Sequence, residues 1–465
     1  MAQRPNCLHV LKAVLIVAMA VVPAAAQQQE LIPRQVFFAD PDRSLVRLSP
    51  DGRYISYLAR HQAVLNIWIA PVDALGAARP ITVNRNRGIR NYQWAYTNEH
   101  IVYVQDESGQ GNFNLHVVDL VHGKDTNLTP HRALNARIKH LSPQDPEHVL
   151  VAMNDRLSLF HDLWRINLRT GQQLPVLLNP GAIEQALVDD FVVDEQMQPR
   201  LAICLANDGH QVIFQIGPHK SAEDSADNAP PPRRFTSIPP EDLLCSSPEH
   251  FDASGTTLYF TDSRETDTAV LKAIDLSSGQ QRVLADDPRA DPASLLVHPA
   301  SKQVQAVEFE YQRPQWKLLD PAIEGDLAYL KDLSAGHVTV PSRSLDDRLW
   351  IVAYVRDDAP TRYYLYDRSA RQAQFLFSSR AALEGRRLAK MQPRLIRARD
   401  GLELVCYLSL PHHSDPDQDG VPEHPLPMVL LVHDGPWSRD RWGFNPMHQW
   451  LANRGYAVLS VNFRG

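Results

Sequence analysis

The 465-residue chain is 44% hydrophobic and 22% charged, a globular balance that excludes wholesale disorder. That length predicts two to four domains at roughly 100–200 residues each, and 35 prolines exclude a helical bundle, because proline removes a backbone donor inside helices. The formal charge of −7 gives no electrostatic reason to expect nucleic-acid binding.

Residues 1–26 read as a secretory signal peptide. Arg4 and Lys12 form the basic region, Ala13 to Val22 the apolar region, and Ala24-Ala25-Ala26 the small-residue cleavage site. The apolar run is shorter than the roughly 20 residues a spanning helix needs, so no lasting membrane anchor is expected. The mature chain is expected to be exported, to the periplasm or beyond, and carries 45 Lys+Arg against 54 Asp+Glu, a charge of −9. Cys7 leaves with the signal. Cys204, Cys245 and Cys406 are too few and too scattered for a disulfide framework and read as buried small apolar residues.

Residues 27–383 read as short strands separated by turn signals. Leu45 to Leu58 sets the pattern: apolar flanks around Pro50-Asp51-Gly52, where proline presets φ, aspartate bonds its own backbone and glycine takes positive φ. Similar units follow at 92–119, 138–168, 191–216, 251–276, 295–319 and 345–377. Repeats of roughly 40–55 residues with several strands each predict a β-propeller of about seven blades, with the fourth and sixth the least regular. The proline-rich stretch from Ala222 to Asp242 reads as a surface loop between blades four and five.

From residue 384 the texture changes. Met391 to Leu408 predicts a hairpin turning at Asp400-Gly401, and a polar loop follows. Met428 to Val432 is a continuous apolar run, expected of a strand buried on both faces. Asn445 and Pro446 are the N-cap and first residue of a helix over Met447 to Arg454, stopped by Gly455. Tyr456 to Val461 is a second apolar strand. Strand, loop, helix, strand is the start of an α/β sheet. The fold class is therefore mainly β: a propeller, then the N-terminal part of an α/β-hydrolase domain over 384–465.

The loop between that first strand and the helix reads Val432-His433-Asp434-Gly435-Pro436-Trp437. In α/β-hydrolases this loop supplies a backbone N–H to the oxyanion hole. The stretch from Pro427 to Gly465 resembles the start of the catalytic domain of the prolyl oligopeptidase family, in its acylaminoacyl- and dipeptidyl-peptidase-like branch. The motif His433-Asp434-Gly435-Pro436 is similar to that branch's His-Gly-Gly-Pro, and Trp437 and Asn462-Phe463-Arg464-Gly465 also fit. The resemblance implies an exported serine peptidase that cleaves short peptides through an acyl-enzyme, without a cofactor. It implies Gly435 as the oxyanion donor and an Asp434 that points away.

No G-x-S-x-G occurs among the 21 glycines, so the nucleophile, acid and base are expected beyond Gly465 and the given chain is expected to be inactive. Ser460 lies inside an apolar strand and is no substitute; His433 precedes the nucleophile position and is expected to be structural. The alternative is a non-catalytic propeller that binds peptides or proteins. Asp415, Asp417 and Asp419 match the first half of a calcium loop, D-x-D-x-D-G, but Leu426 stands where a bidentate Glu is needed. They read as a solvated acidic loop, with a calcium site as the alternative. His412-His413 lack the further spaced ligands of a zinc site.

Overall fold

The protein is described by a computed structural model covering residues 30–106, 109–130, 134–217, 231–435 and 437–463. The proposed signal peptide lies outside the described residues. No helix among those described is long and apolar enough to cross a membrane.

Seven antiparallel sheets follow one another in chain order, at 44–80, 92–127, 137–177, 182–238, 247–285, 292–318 and 337–378. They are blades 1 to 7 of a propeller. The turn chemistry forms as the sequence predicts. Gly52 sits at φ +73, and Asp51 Oδ1 accepts from Ser49 Oγ at 2.6 Å and from the Arg53 amide at 3.1 Å. Asp252 and Gly255 repeat the device in blade 5, with Gly255 at φ +71.

Each blade buries both faces only against its neighbours. Ile67 and Ile69 of blade 1 meet Tyr92 and Ile101 of blade 2. Val102 and Val117 of blade 2 meet Val149 and Ile166 of blade 3, and Leu150 and Leu163 of blade 3 meet Phe191 and Phe214 of blade 4. Later interfaces follow the same rule. The ring closes where Ile351, Leu365 and Phe377 of blade 7 pack on Val46, Leu48 and Ile55 of blade 1. Each such side chain contributes roughly 1.5–3 kcal/mol when fully buried. A direct bond seals the joint, from the Leu48 amide to Ser342 Oγ at 2.9 Å.

The two blades with the weakest sequence signal are the irregular ones. Blade 4 has five strands, and its outermost is Arg233–Ile238. The predicted surface loop over 222–242 is therefore corrected: its described second half pairs edge to edge with Gln211–Gln215. Blade 6 has three strands.

Three α-helices are described. α1 (Arg34–Phe38) lies on the final segment of the chain, not on the blades. α2 (Glu324–Leu333) fills the gap beside blade 6, with Leu330 buried against Trp350 and Tyr354. α3 (Pro446–Ala452) packs on α1 through Phe37, Phe444 and Trp450.

An eighth sheet follows the propeller, in the order Met391–Arg397, Glu403–Ser409, Ala457–Val461, Met428–Leu431. The Met428–Leu431 and Ala457–Val461 strands run parallel, and Glu403–Ser409 runs antiparallel to the latter. α3 is the crossover between the two parallel strands. Asn445 Oδ1 caps it, accepting from the Met447 and His448 amides at 2.9 and 3.2 Å, and Gly455 at φ +88 ends it. Met428–Leu431 is not buried on both faces: Met428 and Leu430 are more than half exposed. It is the edge strand of the described sheet; alternate residues face solvent, while Val429 and Leu431 on the other side are partly buried.

Cys204 and Cys406 are buried, Cys245 is partly so, and all three are free thiols. Burial pushes the Cys204 thiol up to about 12, so it behaves as an apolar residue, as expected.

Candidate active site

The loop from Val432 to Phe444 joins the edge strand to α3. The described residues His433, Asp434 and Gly435 all reach solvent there; Pro436 lies outside the described residues. No backbone carbonyl among the described residues accepts from the Gly435 N–H. A Cβ at Gly435 would stand 3.2 Å from the Trp437 amide nitrogen, so glycine suits the tight bend. His433 donates from Nδ1 to the Asp434 carbonyl at 2.7 Å and packs on the Phe463 ring at 5.3 Å. Its contacts are those of a loop brace. The Asp434 carboxylate is exposed, and its charge is felt at Asp440, where burial and that charge push the carboxyl up.

The loop's second half is fixed by residues that sequence motifs did not single out. Arg439 Nη1 donates to the Glu310 carbonyl at 2.7 Å, and Nη2 to the Tyr311 carbonyl at 3.0 Å. Arg441 Nη1 reaches Glu310 Oε2 at 2.7 Å, and the Trp442 amide donates to Oε1 at 3.3 Å. Glu310 is a buried carboxylate at the end of a blade 6 strand, so these bonds seat the loop on the propeller. Asn462, part of the terminal motif, closes the other side: its Oδ1 accepts from the Asp440 amide at 2.7 Å and its Nδ2 donates to the Asp440 carbonyl at 3.1 Å. Sequence could mark Asn462 only through the family motif; Glu310 carries no local signal, because its partners lie about 130 residues away. Trp442 and Arg313, stacked at 4.8 Å, also line a cavity of about 910 Å³ between blades 6 and 7, α2 and Lys390.

Beneath the loop lies a cluster that imitates catalytic chemistry. His448 Nε2 is 2.8 Å from Ser460 Oγ, and Nδ1 is 3.0 Å from Ser409 Oγ. Both serines are 0% exposed and the histidine 1%, so no substrate reaches them. The trio ties α3 to two strands through a neutral imidazole, one nitrogen donating and the other accepting. Burial drives the His448 pKa down to about 4. A histidine whose folded pKa lies below its unfolded value of about 6.5 stabilises the fold above that value and loses the effect as pH falls through the folded pKa. About 2 kcal/mol of stability should therefore disappear between pH 7 and pH 5. Urea melts at the two pH values check this, and His448→Gln should shrink the difference by about that amount, leaving the part due to His100, His161, His250 and His298, which burial also pushes down.

Asp415, Asp417 and Asp419 lie away from this loop, between Glu403–Ser409 and Met428–Leu431. Asp415 is buried, not solvated as the sequence reading has it.

No family model matches the chain. It is 42% identical over 460 residues to dipeptidyl aminopeptidase BIII of Pseudoxanthomonas mexicana, covering 97% of this chain and 64% of that protein. It is 30% identical over 458 residues to dipeptidyl peptidase family member 6 of Caenorhabditis elegans, covering 94% of this chain and 61% of that one. The chain thus spans about three fifths of the length of these relatives. The solved structure of prolyl oligopeptidase B from Galerina marginata superposes with a TM-score of 0.63 at 11% identity, over 93% of this chain and 64% of that one, which shows a shared fold. Propeller, sheet order, loop motif and similarity over 97% of this chain agree, and the chain belongs to the prolyl oligopeptidase family.

Proposed function

We propose that the protein is an exported serine-type peptidase that releases dipeptides from short peptides through an acyl-enzyme. The observation that carries this reading is Gly435, exposed in the strand-to-helix loop, which is braced on both sides. The names of the two relatives support the dipeptide preference. In this reading the propeller limits access, and Gly435 donates to charge that develops only in the transition state. No G-x-S-x-G stands within the 465 residues, so these residues alone are proposed to be inactive.

Two assays test this. The 465-residue chain should neither turn over dipeptidyl chromogenic amides nor label with a fluorophosphonate; either result would contradict the proposed inactivity. A chimera that appends the part of the Pseudoxanthomonas mexicana relative this chain does not match should release dipeptides. If it folds and does not, the peptidase reading fails. In that chimera Asp434→Gly should change kcat/KM by less than about threefold, because an exposed carboxylate is screened. A gain above about tenfold would place the carboxylate against the oxyanion.

A further inference from the structure

The loop between Glu403–Ser409 and Met428–Leu431 brings one oxygen each from Asp415, Asp417 and Asp419 within 4.8 Å of one another. Exposed acidic residues gather without any ligand, so the cluster alone decides nothing. Asp415 decides it. The residue is 6% exposed, and its Oδ1 meets no hydrogen-bond partner among the described residues. Its Oδ2 accepts from the Gly420 amide at 3.2 Å. A buried carboxylate oxygen beside two more carboxylates is strongly unfavourable as an anion, and a cation among them removes that penalty.

The nearby cation does not fill that role. Arg394 Nη2 donates to the carbonyls of Asp419 and Gly420 at 2.9 and 3.0 Å. Gln392 Nε2 donates to the Gln418 carbonyl at 2.9 Å. These two side chains hold the loop from the Met391–Arg397 strand. Gly420, at φ +80, is required: a Cβ there would lie 1.9 Å from Arg394 Nη2. The backbone is thus held from outside the acidic cluster as well as by the Asp415–Gly420 and Asp419–Val421 bonds within it.

We propose that Asp415, Asp417 and Asp419 bind a calcium ion, with Asp415 Oδ1 as the buried ligand. The donors are all oxygen, which selects a hard cation over zinc or copper. Val421 occupies the seventh position, from which such loops give a backbone carbonyl. Leu426 at the twelfth removes the bidentate ligand of the tightest sites, so the dissociation constant falls at about 10⁻⁴–10⁻³ M, as in extracellular calcium modules. Bound calcium fixes the loop that Gln392 and Arg394 hold against the first hairpin of the eighth sheet.

The test uses the full chain, stripped with chelator and desalted, melted in calcium chloride up to about 20 mM with magnesium chloride in parallel. Calcium should raise Tm saturably with a midpoint between about 0.1 and 1 mM, and magnesium should need at least about tenfold more. Asp417 and Asp419 are exposed, so Asp417→Asn and Asp419→Asn should fold and lose the response. Asp415→Asn should melt no lower than the ion-free parent and ignore calcium. A parent Tm that is flat to 20 mM calcium overturns the proposal. So does an undiminished response in both Asp417→Asn and Asp419→Asn.

Discussion

Replacing Asp347 with alanine should cost roughly 3–5 kcal/mol, the penalty for leaving a buried charge unpaired. The Asp347 carboxylate, 6% exposed, accepts from Arg343 Nε at 2.5 Å, from Arg368 Nη1, and from the Trp350 indole N–H at 2.8 Å. Trp350 lies between the two guanidiniums, 4.5 and 4.9 Å from its ring. Arg368 keeps a second carboxylate, Asp326, at 2.8 Å. Arg343 has no such reserve. Its side chain is 5% exposed, desolvation already pushes its pKa down, and its Nη1 is committed to the Val297 carbonyl and Gln305 of blade 6. Guanidinium does not deprotonate at ordinary pH, so the cation stays buried without its carboxylate, held only by its bonds to blade 6. Urea unfolding should show the loss in Asp347→Ala. Arg348→Ala, at a pair where Arg348 is 57% exposed, should cost less than about 1 kcal/mol.

That network shows why some of the fold was legible and some was not. Ser49-Pro50-Asp51-Gly52 announces a turn because its chemistry is local, and the recurrence of several-stranded units at intervals of roughly 40–55 residues gives about seven blades. Asn445-Pro446 and Gly455 announce α3 for the same reason. Blade 6 gave a weak signal because it has three strands and completes its packing with α2. The exposure of Met428 and Leu430 was hidden because an apolar run does not say whether both faces of its strand are covered. At the candidate site Gly435 was legible through its motif. Glu310 and Arg439 were not, since a contact spanning 129 residues leaves no local pattern. Asp415 was misread as solvated because spacing fixes ligand order and not burial.

Gln449 is a second such long-range residue, and truncating it to alanine should cost roughly 4 kcal/mol. It projects from α3 into the joint between the eighth sheet and the propeller, and is 2% exposed. Its Nε2 donates to the Asp357 carbonyl at 2.8 Å and the Ala389 carbonyl at 2.7 Å, and its Oε1 accepts from the Ala389 amide at 2.9 Å. Alanine leaves three backbone groups without their partner, each worth about 1–3 kcal/mol when buried and unsatisfied. The joint around them is already demanding: Asp357, whose carboxyl burial pushes up, accepts from the Met391 amide at 2.8 Å, the first residue of the eighth sheet. Because α3 also follows the loop that carries Gly435, loss of Gln449 should loosen the loop's far end while leaving the blades intact. The expected result is a split melt, with the C-terminal unit unfolding first and the propeller transition near its original midpoint. Hydrogen exchange at 446–461 should rise in Gln449→Ala while blade 3 amides stay protected. Gln449→Met separates hydrogen bonding from packing: it keeps the shape, stays uncharged and offers neither the donors nor the acceptor. A loss close to that of Gln449→Ala assigns the effect to the hydrogen bonds; a much smaller loss in Gln449→Met would assign it to packing and overturn the hydrogen-bond account.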